Sequence, residues 1–597
     1  MHGEWLRNAL AMAAVIVLLL IYMFIRVSSK TFKSRTPEQG AATYTLDSLT
    51  DGVKEQLHQL THGQLADLGL HDVEYRKRLN KQNELKRALK GCVTGDISDK
   101  QYVKSFIREL LRTKLRLDEQ AMNLIIPFDH HKQLTSADKF DIILFLFKQE
   151  HQDDALSRLL EKYELAVPRV LEGYGEDPVY AVNAADIDLI YEHEIRMLTA
   201  GEKLDLIVQR LYQHYKGFSV IDELREQRID GISGGVSGVV GRLLQSPIQD
   251  SYRLDEIPMS TERESIWLFY KGVSIHLSFL SFDQPNELRR VCQNIYKFNH
   301  PGQLTEAVGY KVNEMKDGSR VVVVRPPFSE GWAFFVRKFD VQKATLAQLI
   351  QGDNAEMAVK LLAFLMKGSR ITAVTGSQGS GKTTLLMAMI QHIYATYPIR
   401  VQEMSFELQL RKLYSRRNIL SFRETAHISG QQGLDLQKKT DGTVNILGEV
   451  ASDEVAAWMI QMSQVASLFT VFTHHAKTFP DLILSLRNSL LKCGIFQQEQ
   501  LAEEQVVQVV HFDVHLKRTH DGRRFIERVT ECLPGEPDTH GIVKAGSSRN
   551  VLEYRDGAYH AVNPLSRRSI QDMEQQMQPQ DLEAFRAFVL NAWGESA

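Results

Sequence analysis

Gly376-Ser377-Gln378-Gly379-Ser380-Gly381-Lys382-Thr383 fits the pattern G-x-x-x-x-G-K-[ST] at every constrained position. Glycines let the backbone curl into a nest whose N–H groups point inward at an anion. A helix starting there adds the positive end of its dipole to the same spot. Ile371–Thr375, just before the stretch, reads as a buried strand, and Thr384–Ile390, just after it, reads as a helix. Strand, loop and helix are the context in which this pattern cradles phosphates. Gly376 to Thr384 are therefore the candidate nucleotide-binding residues. Lys382 is expected to reach the outer phosphates and the Thr383 hydroxyl to hold Mg²⁺, so the implied ligand is ATP with Mg²⁺.

Downstream, strand and helix alternate. Ile399–Glu403 reads as a strand, and Thr443–Glu449 as a buried strand ending in an acid. Ser452–Ala466 reads as a helix, and Leu468–Thr473 as a buried strand running into His474-His475. Such alternation builds a parallel sheet flanked by helices, with ligands at the carboxyl ends of the strands. Glu403, Glu449 and His475 all fall at those ends, which is the physical reason to place them beside the nucleotide. The same residues can also be ordinary polar strand termini. Glu449 follows the more apolar strand, so it is expected to be the more desolvated of the two acids. Beyond this region, Val506–Leu516 and Arg524–Cys532 read as hairpin strands that finish the sheet. Ser569–Gln576 and Gln580–Trp593 read as helices of a peripheral lobe.

Upstream, residues 168–345 hold short strands at Val179–Asn183, Ser265–Tyr270, Val273–Phe279, Val321–Arg325 and Ala333–Phe339, with a helix at Ala200–Tyr215. The glycine-rich run Gly231–Gly238 fits no phosphate motif and reads as a loop or strand kink. Residues 46–167 show apolar residues at helical spacing and no chemistry. His130 and His131 are adjacent, point different ways and have no ligand spacing around them.

Ala9–Ile25 carries no charged residue and is long enough to cross a bilayer. Arg26, Lys30, Lys33 and Arg35 follow it, and the positive-inside rule then puts the rest of the chain in the cytoplasm. A cleaved signal peptide is the rival reading. The chain has 597 residues, 43% hydrophobic and 24% charged, which suits several folded domains. Lys+Arg 71 against Asp+Glu 74 leaves a net charge of −3, so charge gives no argument for nucleic acid as a partner. The four cysteines form no C-x-x-C pair, which argues against a Cys₄ zinc module and for reduced thiols.

Over residues 170–535 the sequence resembles the motor ATPases of type II and type IV secretion systems and pili, most of all the branch serving Tad-type pili. Lys316-Asp317-Gly318-Ser319-Arg320-Val321, Arg325-Pro326-Pro327 and Phe335-Val336-Arg337-Lys338-Phe339 are similar to that family's run "DGSRV…PP…IRKF". Leu447-Gly448-Glu449-Val450 looks like its Walker B strand, and Phe472–Lys477 resembles its histidine box with His475 in place. Gln402–Leu408 is similar to its acidic box, except that Met404 stands where the family has aspartate. Ala451 likewise stands where arginine is usual.

The resemblance implies an α/β fold: a RecA-like P-loop core with a parallel sheet, preceded by a smaller α/β domain. Ahead of these lie the helical module and one transmembrane helix. The resulting boundaries are 1–27 (transmembrane helix), 28–45 (linker), 46–167 (helical module), 168–345 (first α/β domain), 346–535 (RecA-like domain) and 536–597 (C-terminal lobe). It further implies a hexameric ring that hydrolyses ATP and works with inner-membrane platform proteins in pilus assembly or secretion. Lys382, Glu403, Glu449 and His475 would be catalytic, Glu449 also facing Mg²⁺. Arg320 and Arg337 are candidates for a charge supplied across an interface. Met404 and Ala451 leave a weakly hydrolysing scaffold open. A DNA-translocating motor is the third reading, and it has no basic stripe to support it.

Overall fold

The computed structural model describes residues 44–63, 72–171, 174, 176–238, 261–299, 301–339, 344–425, 427–465, 467–519, 522–535 and 546–594. The expected transmembrane helix at 1–27 lies outside the described residues, as does nearly all of the linker at 28–45. Among the described residues no helix is long and apolar enough to cross a membrane.

The chain divides into two compact units, Met1–Glu150 with Ala184–Asp222, and His151–Asn183 with Glu223–Ala597. Among the described residues the first is helical. Ile97–Thr113 is capped by Asp96 and buries Val103, Ile107 and Leu111 at helical spacing. Ala200–Tyr215 lies where the sequence puts it, opened by a capping box between Thr199 and Glu202. Its apolar stripe, including Ile207 and Leu211, is fully buried. That stripe explains why 184–222, grouped from sequence with the following α/β domain, packs with the helices instead. Lys100 and Asp222 form a buried ion pair at 2.6 Å in this unit.

The second unit is α/β. Among the described residues its strands form two sheets, one of seven strands and one of nine. The first contains β1 (Ala181–Val182), β2 (Gly231–Gly234), β3 (Ile266–Tyr270), β4 (Val273–Leu277), β5 (Tyr310–Glu314), β6 (Arg320–Val324) and β7 (Ala333–Arg337). Their order is β1-β4-β3-β2-β7-β6-β5. All neighbours are antiparallel except the short pair β1 and β4. The glycine-rich run is thus partly a central strand, not a loop. A Cβ on Gly231 would stand 2.3 Å from the Val336 carbonyl oxygen, and one on Gly234 would stand 2.6 Å from the Phe334 ring. Glycine is required there by close packing, which sequence pattern alone reads as a break.

The second sheet contains β8 (Thr372–Gly376), β9 (Ile399–Glu403), β10 (Ile419–Arg423), β11 (Val444–Leu447), β12 (Phe469–His474), β13 (Phe512–Arg518), β14 (Arg524–Leu533), β15 (Ser547–Arg555) and β16 (Ala558–Ala561). Their order is β10-β9-β11-β12-β8-β13-β14-β15-β16. The first six run parallel, and the last three pairings are antiparallel. β8, β9 and β11 are buried at every position, as strands covered on both faces must be.

Two expectations are corrected here. Val506–Leu516 is not one strand: Glu499–Val509 is a helix, and β13 begins at Phe512. Ala502, Val506 and Val509 are buried at spacings of four and three, so helical packing outweighs the strand preference of the valines. The segment after 535 is not peripheral either. β15 and β16 extend the sheet, and the last two helices, Arg567–Gln576 and Pro579–Trp593, bury Met573 and Phe585 completely in the main core. Phe585 and Phe588 pack on Phe364 at 5.3 and 5.4 Å.

Candidate nucleotide site

β8 ends at Gly376, and the following turn delivers the chain into the helix Lys382–Ile390. Gly376 and Gly381 hold φ of 139° and 96°, values open to glycine and strained for other residues. A Cβ at Gly376 would also meet the Leu516 carbonyl oxygen at 2.3 Å and Ser380 Oγ at 2.9 Å. The loop is therefore a cradle closed to side chains. The Ser380 hydroxyl is buried in it without a hydrogen-bond partner among the described residues. Glycine conformation, a helix N-terminus and an unpaired buried hydroxyl together fit a phosphate group.

Lys382 Nζ donates to the carbonyl oxygens of Gly376 (2.9 Å) and Ser377 (3.0 Å) and lies 3.2 Å from His475 Nδ1. Burial pushes its ammonium down to about 8, opposed by Glu449. His475 Nε2 stands 3.0 Å from Glu449 Oε1. If Nδ1 accepts from the lysine, the proton sits on Nε2 and is donated to the carboxylate. Lys382, His475 and Glu449 thus form one line that starts at the phosphate loop.

Glu403 is differently placed. It is the last residue of β9, paired with Arg423 of β10, and is 4% exposed. Its Oε2 accepts the Leu408 N–H at 2.8 Å. Burial pushes the carboxyl up to about 7 against the pull of that amide. Glu449, two residues beyond the end of β11, has a side chain 38% exposed. The expected ranking of the two acids is therefore reversed. Apolar residues before Glu449 say how dry the strand is, not how far the next two residues project beyond the sheet.

A cleft of about 520 Å³ brings these groups together. Gln378, Gly379, Gly381, Lys382, Thr383, Thr384, Glu403, Glu449 and His475 line it from the nine-stranded sheet's side. Arg320 and Arg337 line it from the seven-stranded sheet. The carbonyls of Gly376 and Ser377 face Lys382 just behind. Arg320 Nη1 is 3.3 Å from Glu407 Oε1, and Arg337 lies over the Phe269 ring at 5.6 Å. Burial pushes the Glu407 carboxyl up, and Arg320 pulls it back down. Met404 also lines the cleft and is 53% exposed.

Sequence reasoning missed Arg524, which lines the same cleft and donates Nε to the Gly379 carbonyl at 2.9 Å. Its strand was legible, but its neighbour was not, because only the pairing of β13 with β8 brings that hairpin to the loop. It also missed Asp230 and Phe269 on the opposite wall.

A phosphate loop between a buried parallel strand and a helix, with acids and a histidine on neighbouring strand ends, defines a P-loop nucleotide-binding domain. Residues 311–502, about a third of the chain, match the model of the family described as Type II/IV secretion system protein. No curated protein matches the sequence. Among solved structures, the chain is similar to the VirB11 ATPase from the Brucella suis type IV secretion system in complex with sulphate. There the identity is 19% and the TM-score 0.26, over 44% of this chain and 85% of that one. It is similar to the Legionella pneumophila ATPase DotB at 14% identity and a TM-score of 0.36, over 61% and 84%. With the pilus retraction motor PilT bound to ADP the figures are 16% and 0.34, over 55% and 82%. At TM-scores this low the superpositions add no weight to the family match.

Proposed function

We propose that this chain is a membrane-anchored, ring-forming ATPase that powers pilus assembly or type II/IV-like secretion from the cytoplasmic face of the cell membrane. The observation that carries the reading is the Lys382–His475–Glu449 line, which starts at the phosphate loop and shares one cleft with two arginines of a second sheet. Phosphoryl transfer needs positioning, cationic stabilisation and an oriented water. Lys382 would neutralise phosphate charge, and the Thr383 hydroxyl would hold the Mg²⁺ that accompanies ATP. Glu449 would polarise the attacking water or help hold the metal, and His475 couples that acid to the loop. Arg320 and Arg337 supply the remaining positive charge.

The anchor, the hexameric ring, the inner-membrane platform partners and the absence of a nucleic-acid partner belong to this proposal, on the strength of Ala9–Ile25, the balanced net charge and the family match. A second reading, a nucleotide-binding scaffold of such a machine, is favoured by two observations. Met404 lines the cleft at the position where the resembled family's acidic box has aspartate, and the Glu403 carboxyl is pushed up to about 7. Steady-state ADP release by the purified full-length chain, with membrane fractionation of the same preparation, tests both. Turnover from the membrane fraction is the expected result. ATP binding without turnover selects the scaffold, and no binding refutes both readings.

A further inference from the structure

Behind the phosphate loop, β13 runs parallel to β8 and pairs Asp513 with Ala373, His515 with Thr375 and Leu516 with Gly376. Thr375 is the last residue before the loop's first glycine, and both it and Asp513 are completely buried. Thr375 Oγ1 lies 2.6 Å from Asp513 Oδ1 and 2.8 Å from His515 Nδ1. The other carboxylate oxygen of Asp513, also buried, has no hydrogen-bond partner among the described residues. A threonine hydroxyl has one proton to give. At 2.6 Å it goes to the carboxylate in a charge-assisted bond, so His515 Nδ1 carries a proton and donates to the hydroxyl oxygen.

We propose that Asp513 is a positioning residue for nucleotide binding: through the Thr375 hydroxyl it fixes the end of β8 from which the phosphate loop springs. The inference rests on the nucleotide-binding reading above. The chain pivots at Gly376, where a positive φ is freely adopted. The nest can aim its N–H groups at one phosphate only if the strand end before that pivot is held. Backbone pairing holds it in the plane of the sheet, and the hydroxyl holds it against rotation about the strand. The next carbonyl, that of Gly376, is one of the two Lys382 grips, at 2.9 Å, so the fixed point lies one residue from a carbonyl that holds the functional ammonium. A carboxylate is an expensive way to fill this space, since an apolar residue of similar volume packs without the cost of burying charge. What the carboxylate provides is direction.

The test is the affinity of the full-length protein for a fluorescent ATP analogue with Mg²⁺, measured beside the melting temperature. Thr375→Val keeps the volume and removes the hydroxyl, and it is expected to weaken binding about tenfold or more. Thr375→Ser restores the hydroxyl and is expected to bind within about twofold of wild type, a rescue set by the hydroxyl rather than the volume. Asp513→Asn keeps the shape and removes the charge. It decides the matter if the valine variant does not fold, with weakening of about threefold or more expected. A merely structural role would lower the melting temperatures and leave the affinities unchanged, and that result overturns the proposal. Wild-type protein and Lys382→Ala are measured alongside. If wild type itself does not bind the analogue, the nucleotide reading fails and takes this inference with it.

Discussion

The two sheets of the second unit meet the cleft in opposite ways. The nine-stranded sheet presents the ends of strands buried at every position, and its functional groups are already bonded: Lys382 to two carbonyls, His475 to Glu449, Glu403 to the Leu408 amide. The seven-stranded sheet presents partly exposed strands, with Tyr310, Val312 and Phe335 open to solvent. Its two arginines stand on that open side, one beside Glu407 and one on a phenyl ring. A dry, parallel strand end fixes a group to one geometry. A side chain on an open antiparallel face can exchange partners at little cost. In the proposed function the nine-stranded sheet holds the nucleotide and the seven-stranded sheet responds to it.

Losing the fixed side entirely has the largest expected effect. Lys382→Ala removes the only ammonium that bonds the loop carbonyls among the described residues. It should lower kcat/KM for ATP at least about a hundredfold, with ATP binding weakened. Turnover within about twofold of wild type in an ADP-release assay would take the loop out of the mechanism.

Next come the arginines. Arg320→Ala and Arg337→Ala should each lower turnover about thirtyfold, the worth of a charge-assisted bond, while leaving nucleotide affinity unchanged. Loss of affinity instead would make the seven-stranded sheet part of the fixed site and erase the contrast. Normal turnover in both variants would mean that neither arginine meets a phosphate.

The two acids sharpen the comparison within one sheet. Glu449→Gln keeps shape and removes charge, and should cost at least about tenfold in turnover, about 1.4 kcal/mol of barrier, with ATP binding retained. Glu403→Gln should also slow turnover. If Glu449→Gln turns over normally while Glu403→Gln is dead, the buried acid is the base and the His475–Glu449 pair is structural. If both are normal, hydrolysis is not assigned to this cleft.

What was legible in the sequence, and what was not, follows the same division. The phosphate loop, its strand and its helix could be read because the loop is local: glycine conformation, lysine and helix start lie within eight residues. β8, β11 and β12 could be read because burial makes them short, largely apolar runs, whereas β10, Ile419–Arg423, was not read at all. The family resemblance, read over 170–535 and matched by the family model over 311–502, followed from short motifs. Gly231–Gly234 was read as a loop or strand kink because its glycines answer to the Val336 carbonyl and the Phe334 ring across the sheet, and Val506–Val509 was misread because three valines suit a buried helix as well as a strand. β15 and β16 were missed although Asp556-Gly557 sits between them as a turn signal. Arg524 and Asp513 could not be found at all, since their roles exist only through the pairing of β13 with β8. Contacts made across the sheet, between residues more than a hundred positions apart, leave no spacing to read.

The smallest signal expected is a stability difference, and it tests whether Glu403 is as dry as its position implies. Its carboxyl ordinarily titrates near 4.5, and burial in the folded chain pushes it up to about 7. Between those values the folded protein keeps a proton that the unfolded chain has released. The sign follows from that: the contribution is fully present below about 4.5 and is lost as pH rises through about 7. A shift of that size corresponds to about 3 kcal/mol at most. Glutamine has no proton to lose, so Glu403→Gln should flatten this dependence. Asp513, also pushed up by burial, and His474 and His515, both pushed down by it, titrate alike in the two proteins and cancel in the difference. The expected outcome is that wild type loses melting temperature relative to Glu403→Gln by a few degrees between pH 5 and pH 8. Parallel curves over that range would mean that water reaches Glu403. The acid would then be ionised at neutral pH and open to the nucleotide, and the contrast between a buried Glu403 and an exposed Glu449 would disappear.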